Sequence, residues 1–408
     1  MGIYKREIYL KKIRGFYKSD LIKVITGIRR SGKSCFLESI KEELIESGVN
    51  KKDIISINLD KRGFKSIKTP AQLEKAIDSL VKDKDYKYLF IDEIQNVKGY
   101  EEVVEAYREE GNFSIFITGS NSYLLSGELM TKLTGRYIEI EMLPLNFYEY
   151  LDMKKFLNKT INSNLYIEFD NYIREGGFPK ALEFDNNEDK LTYVRNVVSQ
   201  IFDKDIHKNN KIRDNELFDE IQKFVVDNYG SKISTVSIQK ELRKNKIAVT
   251  RRTISRYIDM MTKAKILYQC EPFDIRTKRT IFQGEKKYYL SDLSIFFALS
   301  TDSRINYSSS IENIVFTYLK SKGYELSIGS IGTLEIDFIA RKSFQDYFYI
   351  QVSRSLTDPE TADREYRPFY KIKDVHPCYI FTMDPLPGGK DGIKEINIID
   401  FMSKNMDL

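Results

Sequence analysis

Apolar positions in the first 150 residues follow two alternating rhythms. Short, nearly unbroken apolar runs recur as "LIKVITG" (21–27), "DIISINLD" (53–60), "YKYLFIDEIQNV" (86–97), "FSIFITGSN" (113–121) and "YIEIEMLPL" (137–145). A strand buried on both faces reads this way, because neither side meets water. Between the runs lie stretches with helical spacing. "SCFLESIKEELIESG" closes on Gly48, "TPAQLEKAIDSLVKD" has Thr69 as cap and Pro70 in its first turn, and "YEEVVEAYREEG" follows. Strands separated by helices predict an α/β unit over residues 1–150, with a parallel sheet covered on both faces.

The rhythm then changes. "NFYEYLDMKKFLN", "LYIEFDNYIREGG" and "EDKLTYVRNVVSQIFDKDI" all carry helical spacing, so residues 151–230 read as a helical region. Residues 231–304 read as helix-turn-helix with a hairpin wing: "VSIQKELRKN", then "AVTRRTISRYIDMMTKAKILYQ" with Thr250 as cap, then "CEPFDIRTKRTIFQGEKKYYLSD". From 305 onward "SSSIENIVFTYLKSKGYEL" reads as a helix leading into a strand, and "TLEIDFIA" and "DYFYIQVS" read as two more strands. A chain of 408 residues fits this count, at roughly 100–200 residues per domain.

Composition narrows the chemistry. No apolar run approaches the ~20 residues that span a bilayer, and charges interrupt the first twenty residues too often for a secretory signal. The Met-Gly start lacks the hydroxyl residue that myristoylation wants, because Arg6 fills that place. Cys35, Cys270 and Cys378 form no CxxC pair, which argues against a disulfide framework or cysteine zinc site and for a reducing compartment. The expectation is a cytoplasmic protein with no membrane partner. Only His207 and His376 are present, so chemistry must run on carboxylates, Lys, Arg and bound cofactors.

The octet "GIRRSGKS" (27–34) supplies one cofactor site. It matches the phosphate-binding loop at every fixed position and lies between a predicted strand and helix, as that loop requires. Gly27 and Gly32 let the backbone turn N–H groups toward phosphates, and Lys33 reaches the β- and γ-phosphates of ATP. Ser34 offers its hydroxyl to Mg²⁺, while Ser31 and Cys35 complete the loop and helix start. Arg29 and Arg30 either touch nucleotide or face solvent. "LFIDEIQ" carries Asp92 and Glu93 to the carboxyl end of a strand, where open α/β sheets bind ligands. Asp92 suits Mg²⁺, held through water, and Glu93 suits polarisation of an attacking water.

Taken together, "GIRRSGKS", "LFIDEIQ", "FITGSNSYLLSG", "LTGRYIEIEMLPLNFYEYL" and "EGGFPKAL" resemble bacterial and archaeal AAA ATPases with a C-terminal domain of unknown function. The resemblance spans nearly the whole chain. It implies an AAA P-loop core (1–150), a helical lid (151–230), a winged-helix domain (231–304) and an α/β domain related to PD-(D/E)xK nucleases, restriction-endonuclease-like (305–408). It further implies a sensor role for Ser120 and Asn121, against a simple strand-ending turn. Arg136 resembles an arginine that reaches a neighbouring subunit's γ-phosphate, which would make the protein a homo-oligomer; the alternative is a surface arginine capping a helix end.

Two further constellations bear on partners. Residues 231–290 hold fifteen Lys and Arg against five Asp and Glu, a net +10 in a chain of +5. Arg251, Arg252 and Arg256 fall on the first turns of the second helix, with Arg276, Lys278 and Arg279 at the hairpin tip, the positions from which a winged helix meets DNA. Such modules also dock proteins. In the last domain Glu312 and Asp337 match the helix glutamate and strand aspartate of a PD-(D/E)xK nuclease. Gln351 stands where the next acid belongs and Ser353 where the lysine belongs, so little or no cutting is expected. The reading is an ATP-hydrolysing AAA ATPase acting on DNA. The alternatives are a nucleotide-dependent protein-binding regulator or an ATP-gated nuclease.

Overall fold

A computed structural model describes residues 2–119, 133–207, 210, 212–281, 285–300, 304–343 and 346–408. The chain divides into two compact units, Met1–Leu143 with Lys263–Lys265, and Pro144–Thr262 with Ile266–Leu408.

The first unit is built on strands β1 (Ile22–Thr26), β2 (Ile54–Asn58), β3 (Lys87–Asp92), β4 (Phe113–Thr118) and β5 (Tyr137–Glu141). They form one all-parallel sheet in the order β2-β3-β4-β1-β5. Every residue of β1, β3 and β4 is buried, which is why these segments show apolar runs instead of alternation. Helices α1 (Glu7–Ile13), α2 (Lys33–Glu46), α3 (Pro70–Leu80) and α4 (Tyr100–Glu109) cover the sheet. Leu73, Ile77, Val103 and Tyr107 pack with Ile57, Leu89 and Ile91 in one core; Tyr9, Leu10, Phe36 and Ile40 pack with Phe90 and Phe116 in the other. The rings of Phe90 and Phe116 stack at 4.6 Å, and each buried ring contributes about 1.5–3 kcal/mol. Thr69 and Gln72 close a capping box that starts α3. Because all five strands run the same way, the loop after β1 and the ends of β3 and β4 share one edge.

The second unit begins with helices α5 (Phe147–Phe156), α6 (Leu165–Glu175) and α7 (Asn187–Gln200), the last continuing as a π-helical turn to His207. Glycine at 177 is dictated by contact: a Cβ there would lie 2.1 Å from the Leu145 carbonyl oxygen. Its own carbonyl accepts the Leu145 amide at 2.7 Å, and its amide donates to buried Asp292 at 2.6 Å. The "GGFP" stretch is thus a crossing point of two chain segments.

Next come α8 (Asn215–Asp227), β6 (Lys232–Ile233), α9 (Thr235–Lys244), α10 (Arg251–Lys263), β7 (Leu267–Cys270), β8 (Pro272–Asp274), β9 (Arg279–Thr280) and β10 (Lys286–Leu290). Strands β6, β10 and β7 form a small antiparallel sheet. After α11 (Ser294–Leu299) and α12 (Tyr307–Ser321) come β11 (Glu325–Ile331), β12 (Leu334–Arg341), β13 (Tyr347–Ser353), β14 (Cys378–Thr382), β15 (Gly389–Lys390) and β16 (Ile393–Asn397), with short helices Pro359–Tyr366 and Ile398–Ser403. These strands make a mixed eight-stranded sheet, ordered β15-β16-β14-β13-β12-β11-β8-β9.

The hairpin read as a wing is therefore not a separate projection. β8 lies parallel to β11, and β9 forms the sheet's edge. Phe273 and Ile275 alternate along it and bury themselves with Ile331, Ile336 and Ile339. The expected division at 304/305 is crossed by a continuous sheet, because that apolar pair finds its core in the later domain. Among the described residues, no helix is long and apolar enough to cross a membrane.

Candidate nucleotide site

The loop after β1 is shaped from several sides. Gly27 has φ 133°, and a Cβ on it would sit 2.1 Å from the Met142 carbonyl oxygen. Gly32, at φ 99°, opens α2, and Lys33 is that helix's first residue. The buried Lys33 ammonium arches back over the loop and donates to the carbonyls of Gly27 at 2.9 Å and Ile28 at 3.0 Å. Ser31 Oγ is buried without a hydrogen-bond partner among the described residues. Arg29 is half-buried, and Arg30, Ser34 and Cys35 are exposed.

A residue that carries no spacing signal braces this loop. Arg6, 4% exposed, donates to the Ser31 carbonyl at 3.1 Å and the Leu143 carbonyl at 2.7 Å. Its guanidinium lies 4.6 Å from the Tyr9 ring centroid, and Tyr9 Oη accepts the Leu143 amide at 3.0 Å. Arg6 lies 25 residues before Ser31, so neither periodicity nor motif announces it.

The acids stand at the same sheet edge. Asp92 Oδ2 accepts from Asn58 Nδ2 at 2.7 Å, and its Oδ1 accepts from the Thr118 hydroxyl. Thr118 Oγ1 in turn accepts the Glu93 amide at 3.1 Å. The ends of β2, β3 and β4 are laced together through one carboxylate. Glu93 adopts φ 59°, a left-handed conformation costing an ordinary residue on the order of 1 kcal/mol, and accepts from Gln95 Nε2. Burial pushes the Glu93 pKa up; Lys33 and Gln95 oppose this, Asp92 adds to it and Arg29 also opposes it. Lys33 and Arg29 therefore share an electrostatic environment with Glu93.

Ser120 and Asn121 lie outside the described residues. Thr118, the first residue of the same "TGSN" stretch, makes the polar contacts at the strand tip. Asn58 was legible only as the end of a strand. Arg136 precedes β5, whose first residue pairs with Ile22, so it stands at the sheet edge opposite the loop, about 17 Å of strand away. It is 44% exposed and paired with Glu105 of α4. It does not reach the loop of its own chain.

The donor set fits a nucleoside triphosphate with its magnesium ion. The loop's amides, the lysine and the buried unpaired Ser31 hydroxyl suit phosphate oxygens, and an exposed hydroxyl at a helix start beside a strand-end carboxylate suits a hard cation.

The other expected residues separate into two groups. Arg251, Arg252 and Arg256 are exposed on α10, while Ile254, Tyr257, Ile258 and Met261 form its buried face. Arg276, Lys278 and Arg279 are exposed around the β8–β9 turn, where the Asp274 carboxylate accepts the Arg276 amide. Glu312 and Asp337 converge on one lysine, Lys287, at 2.7 and 3.4 Å. Gln351 accepts the Asp337 amide at 2.7 Å and donates to Glu365 at 2.9 Å. Lys287 lies on β10 and counts in the sequence only toward the basic excess of 231–290, with no motif linking it to the acids.

Residues 19–151 match a family described as an AAA domain, and residues 166–306 match one described as a domain of unknown function, DUF8612. An uncharacterised protein of Haemophilus influenzae is 33% identical over 404 residues, covering 98% of this chain and 99% of its own. An uncharacterised protein of Methanocaldococcus jannaschii is 29% identical over 392 residues, covering 91% and 82% respectively. Among solved structures, a Walker-type ATPase of Pyrococcus abyssi overlays with a TM-score of 0.51 at 15% identity, across 72% of this chain and 95% of that one. This likeness is one of fold.

Proposed function

The chain belongs to the family of AAA-domain proteins that includes its Haemophilus influenzae relative, and from that premise we propose that it hydrolyses ATP and couples turnover to DNA. The observation that carries the reading is the convergence of Lys33 and the half-buried Glu93 at one sheet edge.

In this mechanism the triphosphate lies along the amides of residues 27–33. Lys33 exchanges its two loop carbonyls for β- and γ-phosphate oxygens, and the α2 dipole favours the same anion. Ser34 Oγ and, through water, Asp92 would hold Mg²⁺, which when bound supplies Lewis-acid stabilisation of phosphoryl charge. Asn58 and Thr118 keep the Asp92 carboxylate in one orientation. Glu93 takes a proton from water as the water oxygen bonds to the γ-phosphorus and the bond to the β–γ bridging oxygen breaks, leaving ADP and phosphate. A carboxylate whose pKa is raised toward neutrality is the better base, and Thr118 fixes its backbone. Arg136 of a neighbouring copy is the candidate for the remaining transition-state charge.

The order α8, β6, α9, α10, β7, β10 supports reading this region as a winged helix. Its exposed Arg251, Arg252 and Arg256 support duplex DNA as the partner, each neutralised phosphate adding to the salt sensitivity. The test is steady-state ATPase turnover with duplex DNA, single-stranded DNA, RNA and no ligand. Turnover should rise with duplex DNA and fall at least ~100-fold in Glu93→Gln and Lys33→Ala. Equal turnover with and without DNA, together with no salt-sensitive DNA retention, overturns the DNA partner. Turnover unchanged in Glu93→Gln overturns the catalytic assignment.

A further inference from the structure

We propose that Lys287 is a built-in counter-cation, its ammonium occupying the acid cage of Glu312, Glu335 and Asp337 so that this nuclease-like arrangement is locked by the chain's own lysine and does not take a divalent metal. The ammonium lies 2.7 Å from Glu312 Oε1, 2.9 Å from Glu335 Oε1 and 3.4 Å from Asp337 Oδ1. Its side chain is 7% exposed. These are hydrogen-bond lengths; a magnesium or calcium ion needs carboxylate oxygens at about 2.0–2.6 Å. Among the described residues the acidic cluster tight enough to converge on an ion is Asp53, Asp83 and Asp85, far from this one in sequence and in the other unit.

The cage is also tied to its surroundings, by hydrogen bonds to Glu312 and Asp337 and an ion pair to Glu335. Tyr289 Oη donates to Glu312 at 2.6 Å, the Val352 amide donates to Asp337 Oδ2 at 2.9 Å, and Lys232 pairs with Glu335. Lys232 and Lys287 stand directly opposite each other on β6 and β10, a like-charge pair that would repel without Glu335 near both. Three carboxylates face two ammonium groups. Burial first, and the Asp337 charge second, push the Glu312 pKa up; burial works against the charged Lys287, but the three surrounding acids outweigh it and keep the ammonium protonated.

The other two positions of the nuclease pattern have been spent locally. Gln351 cross-ties the Asp337 amide to Glu365, and Ser353 Oγ donates to the Ser355 carbonyl at 3.1 Å. Lys287 comes from the small sheet and the acids from α12 and β12, so the lysine stitches the two modules together. A metal in that place would displace one of the ties that hold β10 to α12 and β12.

The test uses the full chain without nucleotide, as wild type, Lys287→Arg and Lys287→Met, each with and without Asp337→Asn. Melting is followed with and without Mn²⁺, and nicking of supercoiled plasmid is assayed with Mn²⁺. Wild type and Lys287→Arg should show no Mn²⁺ shift that Asp337→Asn removes, and no nicking. Lys287→Met should melt lower and recover by about 3 °C or more in Mn²⁺, a recovery lost with Asp337→Asn. An Asp337-dependent Mn²⁺ shift in wild type, or plasmid nicking that Asp337→Asn abolishes, overturns the proposal and makes Lys287 a nuclease lysine. A folded Lys287→Met that ignores Mn²⁺ also overturns it. If Lys287→Met does not fold, the wild-type and Lys287→Arg measurements decide.

Discussion

Lys23 sits wholly buried in β1, the strand that delivers the phosphate loop. Its ammonium donates to the Ser19 carbonyl at 2.6 Å and Ser114 Oγ at 2.8 Å, and lies 5.0 Å from the Phe116 ring centroid. Burial pulls its pKa down to about 7, with Asp20 pulling weakly the other way. The unfolded chain, with an ordinary lysine, binds more protons than the folded one between about pH 7 and 10. Stability should therefore climb with pH across that window and level off below about 7. Urea melts of the wild type at pH 7 and 9, set against Lys23→Met, check this: the slope should shrink in the variant. A variant with the same slope would assign it to another group. Neither this lysine nor Arg6 was legible as a buried cation, because pattern reading treats a charge within an apolar run as an interruption. The candidate nucleotide-site residues Lys33, Ser34 and Asp92 were legible because phosphate-loop chemistry needs such groups at fixed places in a strand–loop–helix unit.

Strands and helices of the first unit could be read closely because a parallel sheet covered on both faces imposes continuous apolar runs, and "TPAQ" states its own cap. The hairpin at 272–280 was harder. "FDI" alternates as any half-buried strand does, and nothing local reveals which sheet it joins. The segment after 353 stayed unread, its short elements lacking a clear period. The hairpin's true place has a consequence for DNA. Its basic residues lie on the edge of a large sheet, whereas Arg251 and Arg252 stand clear on the first turn of α10. Substituting Arg251 and Arg252 by Ala should weaken duplex binding and lower the salt slope by about one per lost phosphate contact. The Arg276→Ala, Lys278→Ala, Arg279→Ala triple variant should change both less. Fluorescence anisotropy from 50 to 200 mM salt distinguishes them, and a larger loss from the hairpin set would move the interface there.

For the proposed assembly, the position of Arg136 matters most. It stands at the amino edge of the sheet, away from the phosphate loop of its own chain, exposed and paired with Glu105, and in the proposed mechanism it acts on the nucleotide of a neighbouring copy. Arg136→Ala and Glu93→Gln should each be nearly inactive alone. Mixed in equal amounts they should regain part of wild-type turnover, since some interfaces then join an intact Glu93 to an intact Arg136. Turnover in the mixture no higher than the mean of its parts, or full activity in a strictly monomeric protein, would remove the arginine from catalysis. No pattern in one chain reveals a site completed by two, which is why this role rested on resemblance alone.

The fold of Lys33 over Gly27 and Ile28 bears on how the protein should be silenced. Through these two bonds Lys33 braces the loop, so alanine there takes away both the proposed grip on phosphate and the support of the loop. A cell carrying Lys33→Ala would mix lost turnover with a slackened loop. Glu93→Gln keeps that brace and stops at the chemistry, so it is the cleaner inert allele.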